Sequence, residues 1–156
     1  MFLILHNIRS AENVGSMFRT ADAFGITQIF LTGYTPAPVD RFKRPVSKIA
    51  KTALGAEKTV AWEKCEIKDA VSNVQNQGVR IIALEQDARA TNITEYTAPK
   101  SWALIVGNEV GGVDQETLAL CDDMVEIPMY GTKESLNVAV ALGVALYALT
   151  ADTPVV

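Results

Sequence analysis

Five short runs of the chain are apolar at almost every position and rich in branched side chains: residues 2–6 (FLILH), 28–32 (QIFLT), 79–85 (VRIIALE), 102–106 (WALIV) and 124–127 (MVEI). Runs of this length read as strands buried on both faces. Between them apolar side chains return at three- and four-residue spacing. That period predicts helices at 14–24, 47–54, 67–77, 114–120 and 136–149. In ENVGSMFRTADAFG, residues 12–25, the apolar stripe is Val14, Met17, Phe18, Ala21 and Phe24, with Arg19 beside it. Gly15, a weak helix former, sits in the first turn, a loose entry for a helix. Strands alternating with helices predict an α/β fold, a mostly parallel sheet with helices on both faces. Residues 33–45, with three prolines, read as the longest loop of the first half.

The 156 residues suit a single domain over 1–156, and 49% apolar residues supply a sizeable core and exclude a disordered chain. A net charge of −4 excludes a uniformly basic nucleic-acid binder, so any contact with nucleic acid uses a local patch. Cys65 and Cys121 lack CxxC spacing, which points to a reduced compartment without a disulfide framework. His6 is the single histidine, which argues against a histidine-built metal site; no metal is expected. The start, MFLILHNIR, has no leading basic region, and the apolar run at 138–149 is too short to span a bilayer. A cytoplasmic protein without a membrane segment is expected. His6, Cys65, Cys121, Trp62 and Trp102 are read as structural.

In an open parallel sheet, ligands bind beyond the carboxyl ends of the strands. GNEVGGVDQE follows the strand at 102–106, and its three glycines, Gly107, Gly111 and Gly112, let backbone approach a ligand. Asp114 is placed to cap the helix that follows. Neither GxGxxG nor GK[ST] is present, which disfavours the two common phosphate loops; an ordinary glycine-rich turn is the competing reading. Glu109 reads either as a solvated loop acid or as a carboxylate held beside a ligand or fixing a loop. Further on, in PMYGTKESLNVAVALGVALYAL, Ser135 is expected to cap a helix that is apolar all round. Asn137, in its first turn, is expected to be a buried amide in need of partners. The free N–H groups of that helix start suit a small polar ligand. EQDARATNITEY, after the strand at 79–85, is either a lip of the same pocket or a crossover.

Three segments carry a family resemblance together and in order: NVGSMFRTADAFG, LIVGNEVGGV and IPMYGTKESLNVAVALGVALY. They resemble the motifs of the SpoU (TrmH-like) branch of the SPOUT RNA methyltransferases and, with their spacing, cover most of the chain. The resemblance implies a SPOUT fold whose C-terminal part, roughly 79–150, forms a deep trefoil knot. It implies S-adenosylmethionine as cofactor, a homodimer with active sites near the subunit interface, and methyl transfer to a ribose 2′-hydroxyl of RNA, tRNA ahead of rRNA. Matched residue by residue, it assigns Asn13, Arg19, Glu109, Ser135 and Asn137 to catalysis. To the cofactor it assigns Leu84, Gln86, Gly107, Glu109, Ile127, Met129, Ser135, Leu136 and Asn137. One departure is Ala139, where many members carry serine. Relatives with extra terminal helices or an added domain have more chain, so the identity of the RNA stays open.

The family gives activation of the 2′-oxygen to the arginine matching Arg19, and under that resemblance Gly15 and Ser16 are expected to form a first turn that RNA backbone or a partner subunit can approach. A guanidinium stays protonated, so its physical role is to bind the adjacent phosphate and stabilise the developing alkoxide. A surface pair with Asp22, one turn on, is the competing reading. Arg41, Lys43, Arg44, Lys48 and Lys51 lie within 11 residues, with no acid from 41 to 56 and Phe42 as a stacking surface. Arg9 extends the positive surface toward Arg19. This run reads as an RNA-binding patch or as a solvated charged face. Two further functions stay open: a non-catalytic RNA- or cofactor-binding module of the same fold, and an unrelated α/β nucleotide-binding enzyme.

Overall fold

The computed structural model describes residues 1–151; the last five residues of the domain expected over 1–156 lie outside the described residues. Its strands are β1 (Phe2–His6), β2 (Gln28–Thr32), β3 (Ala61–Cys65), β4 (Arg80–Leu84), β5 (Thr91–Asn92), β6 (Trp102–Val106) and β7 (Asp123–Glu126). They form one seven-stranded sheet in the order β3-β2-β1-β6-β4-β7-β5, with every neighbouring pair parallel. Every residue of β1 and β6, at the centre, is buried. Their continuous apolar runs have that cause, because both faces are covered.

The two faces divide the core. Leu3, Leu5, Ile29, Leu31, Leu104 and Val106 point to one side, toward α1 (Ala11–Ala23), α2 (Ser47–Ala53), α3 (Ala56–Thr59) and α6 (Val138–Leu149). Phe2, Ile4, Phe30, Ala103 and Ile105 point to the other, toward α4 (Ile67–Gln75) and α5 (Gln115–Leu118). No helix of the described residues is long and apolar enough to cross a membrane.

Local chemistry explains the ends of α1 and α6. Ser10 caps α1, its Oγ accepting from the Asn13 amide at 3.1 Å. Gly15 is buried against α2, where an added Cβ would overlap the Thr52 hydroxyl and the Ile49 carbonyl. The glycine therefore brings two helices of the same chain together, and the expectation of a turn open to RNA or a partner is corrected. The cap of α6 is Asn137, not Ser135: its Oδ1 accepts from the Ala139 and Val140 amides at 2.9 and 3.3 Å. The helix accordingly starts at Val138, two residues after the predicted start.

Three elements escaped the hydrophobic pattern: β3, β5 and α3. β3 is an edge strand paired only to β2, and its AWEKC side chains are exposed or half-buried. The register places Leu5 opposite both Leu31 and Val106, so the loops after β1, β2 and β6 leave the sheet at one edge.

Candidate functional site

At that edge the segments after β4, β6 and β7 enclose a cavity of about 360 Å³. Eight of the residues assigned to a cofactor line it: Leu84, Gln86, Gly107, Glu109, Ile127, Met129, Ser135 and Leu136. Asn137, the ninth, does not. The wall also contains Gly112, one of the three glycines expected to let backbone approach a ligand, and Glu85, Asn108, Val110, Glu134 and Val138, which the sequence did not single out.

The floor is bare backbone for a steric reason. A Cβ at Gly107 would overlap the Gly112 carbonyl, and Asn108 and Gly112 exchange two backbone hydrogen bonds of 2.9 Å. Gly112 has φ +64°, and a Cβ there would overlap the Glu85 carboxylate. The glycines thus allow a loop to fold back on itself. Asn108 Oδ1 tightens the turn by accepting from the Val110 and Gly111 amides at 2.9 and 2.8 Å. Glu85 ties two walls together, accepting from the Val113 amide at 2.7 Å and from the Gln86 amide at 2.9 Å. At the far end Asp114 caps α5 as expected, accepting from the Thr117 amide at 2.9 Å. Buried His6 supports that cap, with Nε2 3.1 Å from the Asp114 carboxylate and Nδ1 2.8 Å from Thr32 Oγ1. Burial pushes the Cys121 thiol up to about 12, and burial likewise raises that of Cys65. Both thiols are therefore protonated and inert at neutral pH.

Glu109 brings the three sequence motifs together. Its carboxylate accepts from the backbone amides of Arg9 and Ser10, both at 3.0 Å, and from Asn13 Nδ2 at 3.1 Å. Asn13 Oδ1 in turn accepts from Asn137 Nδ2 at 3.2 Å. Partial burial works to raise the Glu109 carboxyl, but hydrogen bonds from the Arg9, Ser10 and its own backbone amides and from Asn13 outweigh it and hold the group below the usual carboxylate range. Glu109 is thus neither a solvated loop acid nor a free one; it staples the glycine loop to the start of α1. Asn137 is exposed, which corrects its expected burial. Its partners are its own cap and Asn13.

Arg19 stands apart. It is exposed on α1, six residues beyond Asn13 or about 9 Å along the axis, and does not line the cavity. Among the described residues it makes no hydrogen bond or ion pair, and Asp22 accepts from Thr59 Oγ1 at 2.9 Å. The surface pair with Asp22 is therefore not formed.

The basic run is only partly free. Arg44 pairs with Asp40 at 2.8 Å and Lys48 with Glu12 at 3.3 Å, so the fold supplies acids that the 41–56 stretch lacks. Arg41, Lys43 and Lys51 are exposed and have no acidic partner among the described residues. Phe42 is 60% exposed, with the guanidinium carbons of Arg41 and Arg44 at 4.7 and 5.0 Å from its ring centre. Arg9 sits beside the glycine loop, its amide bonded to Glu109.

Comparison with known proteins adds the family. Residues 1–147 match the model of the SpoU rRNA Methylase family. The 23S rRNA (guanosine-2'-O-)-methyltransferase RlmB of Neisseria meningitidis serogroup B is 32% identical over 147 residues, covering 94% of this chain and 56% of that protein. An AdoMet-bound rRNA methyltransferase from Sinorhizobium meliloti superposes with a TM-score of 0.87 at 25% identity, over 99% of this chain and 57% of that one. A structure described as giving insights into the 2-OH methylation of C/U34 on tRNA superposes with a TM-score of 0.79 at 27% identity, over 95% of this chain and 92% of that one. The chain spans little more than half the length of the curated relatives it matches.

Proposed function

The chain belongs to the SpoU rRNA Methylase family, and on that footing we propose that it is an S-adenosylmethionine-dependent methyltransferase acting on a ribose 2′-hydroxyl of RNA. The observation that carries this reading is the Glu109–Asn13–Asn137 chain, which joins all three motifs at the rim of the cavity. The residues there fit the cofactor. Leu84, Ile127, Met129 and Leu136 give apolar walls for an adenine; Gln86 and Ser135 give hydrogen-bonding side chains for a ribose. The floor at Gly107 and Gly112 is a cradle that a Cβ would fill. Glu134, also in the wall, gives negative charge for a sulfonium. Bound there, S-adenosylmethionine supplies an electrophilic methyl group.

The chain's own residues divide the remaining work. Glu109 holds the loop, while Asn13 and Asn137 orient the edge where the ribose enters. Arg19 binds the phosphate beside the target nucleotide and stabilises charge growing on the 2′-oxygen; a guanidinium serves here as a cation and not as a base. A binding module would have no use for this set, which favours the enzyme.

The working unit in this reading is a homodimer. Val140, Val144 and Tyr147 are exposed at helical spacing along α6, with Leu136 exposed just before its cap, an apolar surface that a second copy covers. Arg19, displaced from its own cavity, then serves a neighbouring one. Residues 1–156 act as one domain, in the cytoplasm and without a metal, and the part from roughly 79 to 150 forms the trefoil knot; the closeness of the segments after β4, β6 and β7 supports the knot.

The tRNA reading is favoured by the structure concerned with C/U34 on tRNA, of which this chain covers 92%. The RlmB relative supports 23S rRNA as the second reading. Methyl transfer from labelled S-adenosylmethionine to unmodified tRNA and rRNA, followed by nuclease mapping, tests both. Label on a tRNA ribose, lost in Arg19→Ala while cofactor affinity persists, is the expected result. Label on rRNA alone overturns the substrate, and label on a base or on no RNA overturns the reaction.

A further inference from the structure

A second cleft adjoins the cofactor cavity through Asn108, which lines both. Its other walls are Arg9 and Tyr34. The three residues follow β1, β2 and β6, neighbours in the sheet, and so emerge side by side at the carboxyl edge.

Tyr34 is held in place but not covered. Its hydroxyl accepts from Asn108 Nδ2 at 2.7 Å, and its amide donates to Asn7 Oδ1 at 3.3 Å. Gly33, at φ +60°, leaves room for the Asn7 side chain that makes this second bond. Fixed at both ends, the tyrosine is nevertheless 57% exposed. An immobilised aromatic side chain left largely open to solvent gains little by burial, and its stability role ends at the two hydrogen bonds. Beside it the Arg9 amide is fixed by the Glu109 carboxylate at 3.0 Å, while the Arg9 guanidinium has no acidic partner among the described residues.

We propose that this cleft receives an unpaired nucleotide of the RNA, the base stacking on Tyr34 and the phosphate pairing with Arg9. An aromatic face takes any base, and an arginine fork grips phosphate. A base in a duplex is stacked on its neighbours and does not reach the ring, so the cleft selects single-stranded or loop RNA. The inference deepens the proposed function by naming the form of RNA that the site admits, and it rests on that function.

The test measures binding of a fluorescein-labelled single-stranded RNA oligonucleotide, and of the same strand paired to its complement, by anisotropy. Tyr34→Ala is expected to weaken the single strand about tenfold and to leave the duplex as in wild type. Tyr34→Phe, which loses the same bond to Asn108 but keeps the ring, recovers most of that loss. Arg9→Ala lowers the salt dependence of single-strand binding by about one phosphate. Equal losses in Tyr34→Ala and Tyr34→Phe, equal losses for single strand and duplex, or no loss at all overturn the cleft. Methyl transfer by the same preparations separates the two proposals. Transfer by wild type with an unaffected Tyr34→Ala removes the cleft alone. The expected binding pattern without transfer to any RNA removes the proposed reaction alone.

Discussion

Glu109 accepts three hydrogen bonds from residues 96, 99 and 100 positions earlier in the chain, so removing it is felt as lost stability before it is felt as lost chemistry. A net hydrogen bond to a charged group contributes about 1.5–3 kcal/mol when well shielded. Here the bond from Arg9 is exposed and the other two are half-buried, so water competes, and about 1 kcal/mol each is the discounted figure. Glu109→Ala is then expected to cost about 2–3 kcal/mol, which for a domain of this size lowers Tm by roughly 5–10 °C. The Arg9 amide donates to one carboxylate oxygen and the Ser10 amide to the other, so Glu109→Gln keeps an acceptor for only one of them and loses the charge, and about 1–2 kcal/mol or roughly 3–6 °C follows. The pH dependence has a definite sign. The carboxyl is held below its ordinary value, so its contribution is full above the unfolded pKa of about 4.3 and is lost as pH falls through the folded value. Calorimetry of wild type and Glu109→Gln across pH 7 to about 3.5 is therefore expected to show a gap that is complete at neutrality and closes in acid. A Glu109→Ala protein melting within about 1 °C of wild type at pH 7, or a gap that persists in acid, would refute the staple.

Gly107→Ala forces a Cβ into the Gly112 carbonyl, and since neither atom is the end of a flexible side chain the loop opens; titration calorimetry is expected to show cofactor affinity at least about tenfold weaker, and near-wild-type affinity would rule out the cradle. Gly15→Ala, which in an open helix gains about 1 kcal/mol, here drives α1 away from α2 and lowers stability by about 2 kcal/mol; a higher Tm would show that the packing contact is not what selects glycine. Joint replacement of Arg41, Lys43 and Lys51 by alanine is expected to flatten the dependence of log Kd for RNA on log salt by about 2, while replacing the ion-paired Arg44 and Lys48 flattens it less; equal effects would mean that Asp40 and Glu12 give up their partners to RNA.

What could be read from the sequence followed from what is local. β1, β2, β4 and β6 were legible because a strand covered on both faces must be apolar throughout. β3 and β5 were not, because an edge strand leaves its side chains to solvent and carries no such run. Ser135 and Asn137 are both good capping residues two positions apart, and the choice depends on where the chain turns into α6. Glu85, Glu134, Asn108 and Tyr34 escaped because nothing in their neighbours along the chain marks them. Glu85 is defined by the Val113 amide 28 residues away, and Tyr34 by Asn108, 74 residues away. The acid-free basic run failed in the opposite direction, since Glu12 reaches Lys48 only through the packing of α1 on α2.

The parallel sheet is what converts these scattered residues into one site. Leu5 pairs with Val106, and Ala83 with Ile105, so β1, β4 and β6 end within a residue or two of one another. Each strand then delivers one part. β1 leads to the amides of Arg9 and Ser10, β6 to the glycine loop and Glu109, and β4 to Glu85. Two carboxylates are consumed in holding these loops to each other. Glu109 accepts three bonds from the start of α1, and Glu85 accepts from both the glycine loop and the segment after β4. Loops tied in this way do not have to be ordered by the ligand, which lowers the entropic cost of binding. The same geometry constrains catalysis. The staple fixes the first turn of α1 against the cavity, and Arg19 then lies almost two helical turns farther along, on the exposed face. A rigid helix cannot bring it back. In the proposed reaction its partner therefore comes to it, either as the RNA phosphate or as the cavity of a second copy. For that reason the Arg19→Ala protein is expected to retain cofactor binding while losing transfer.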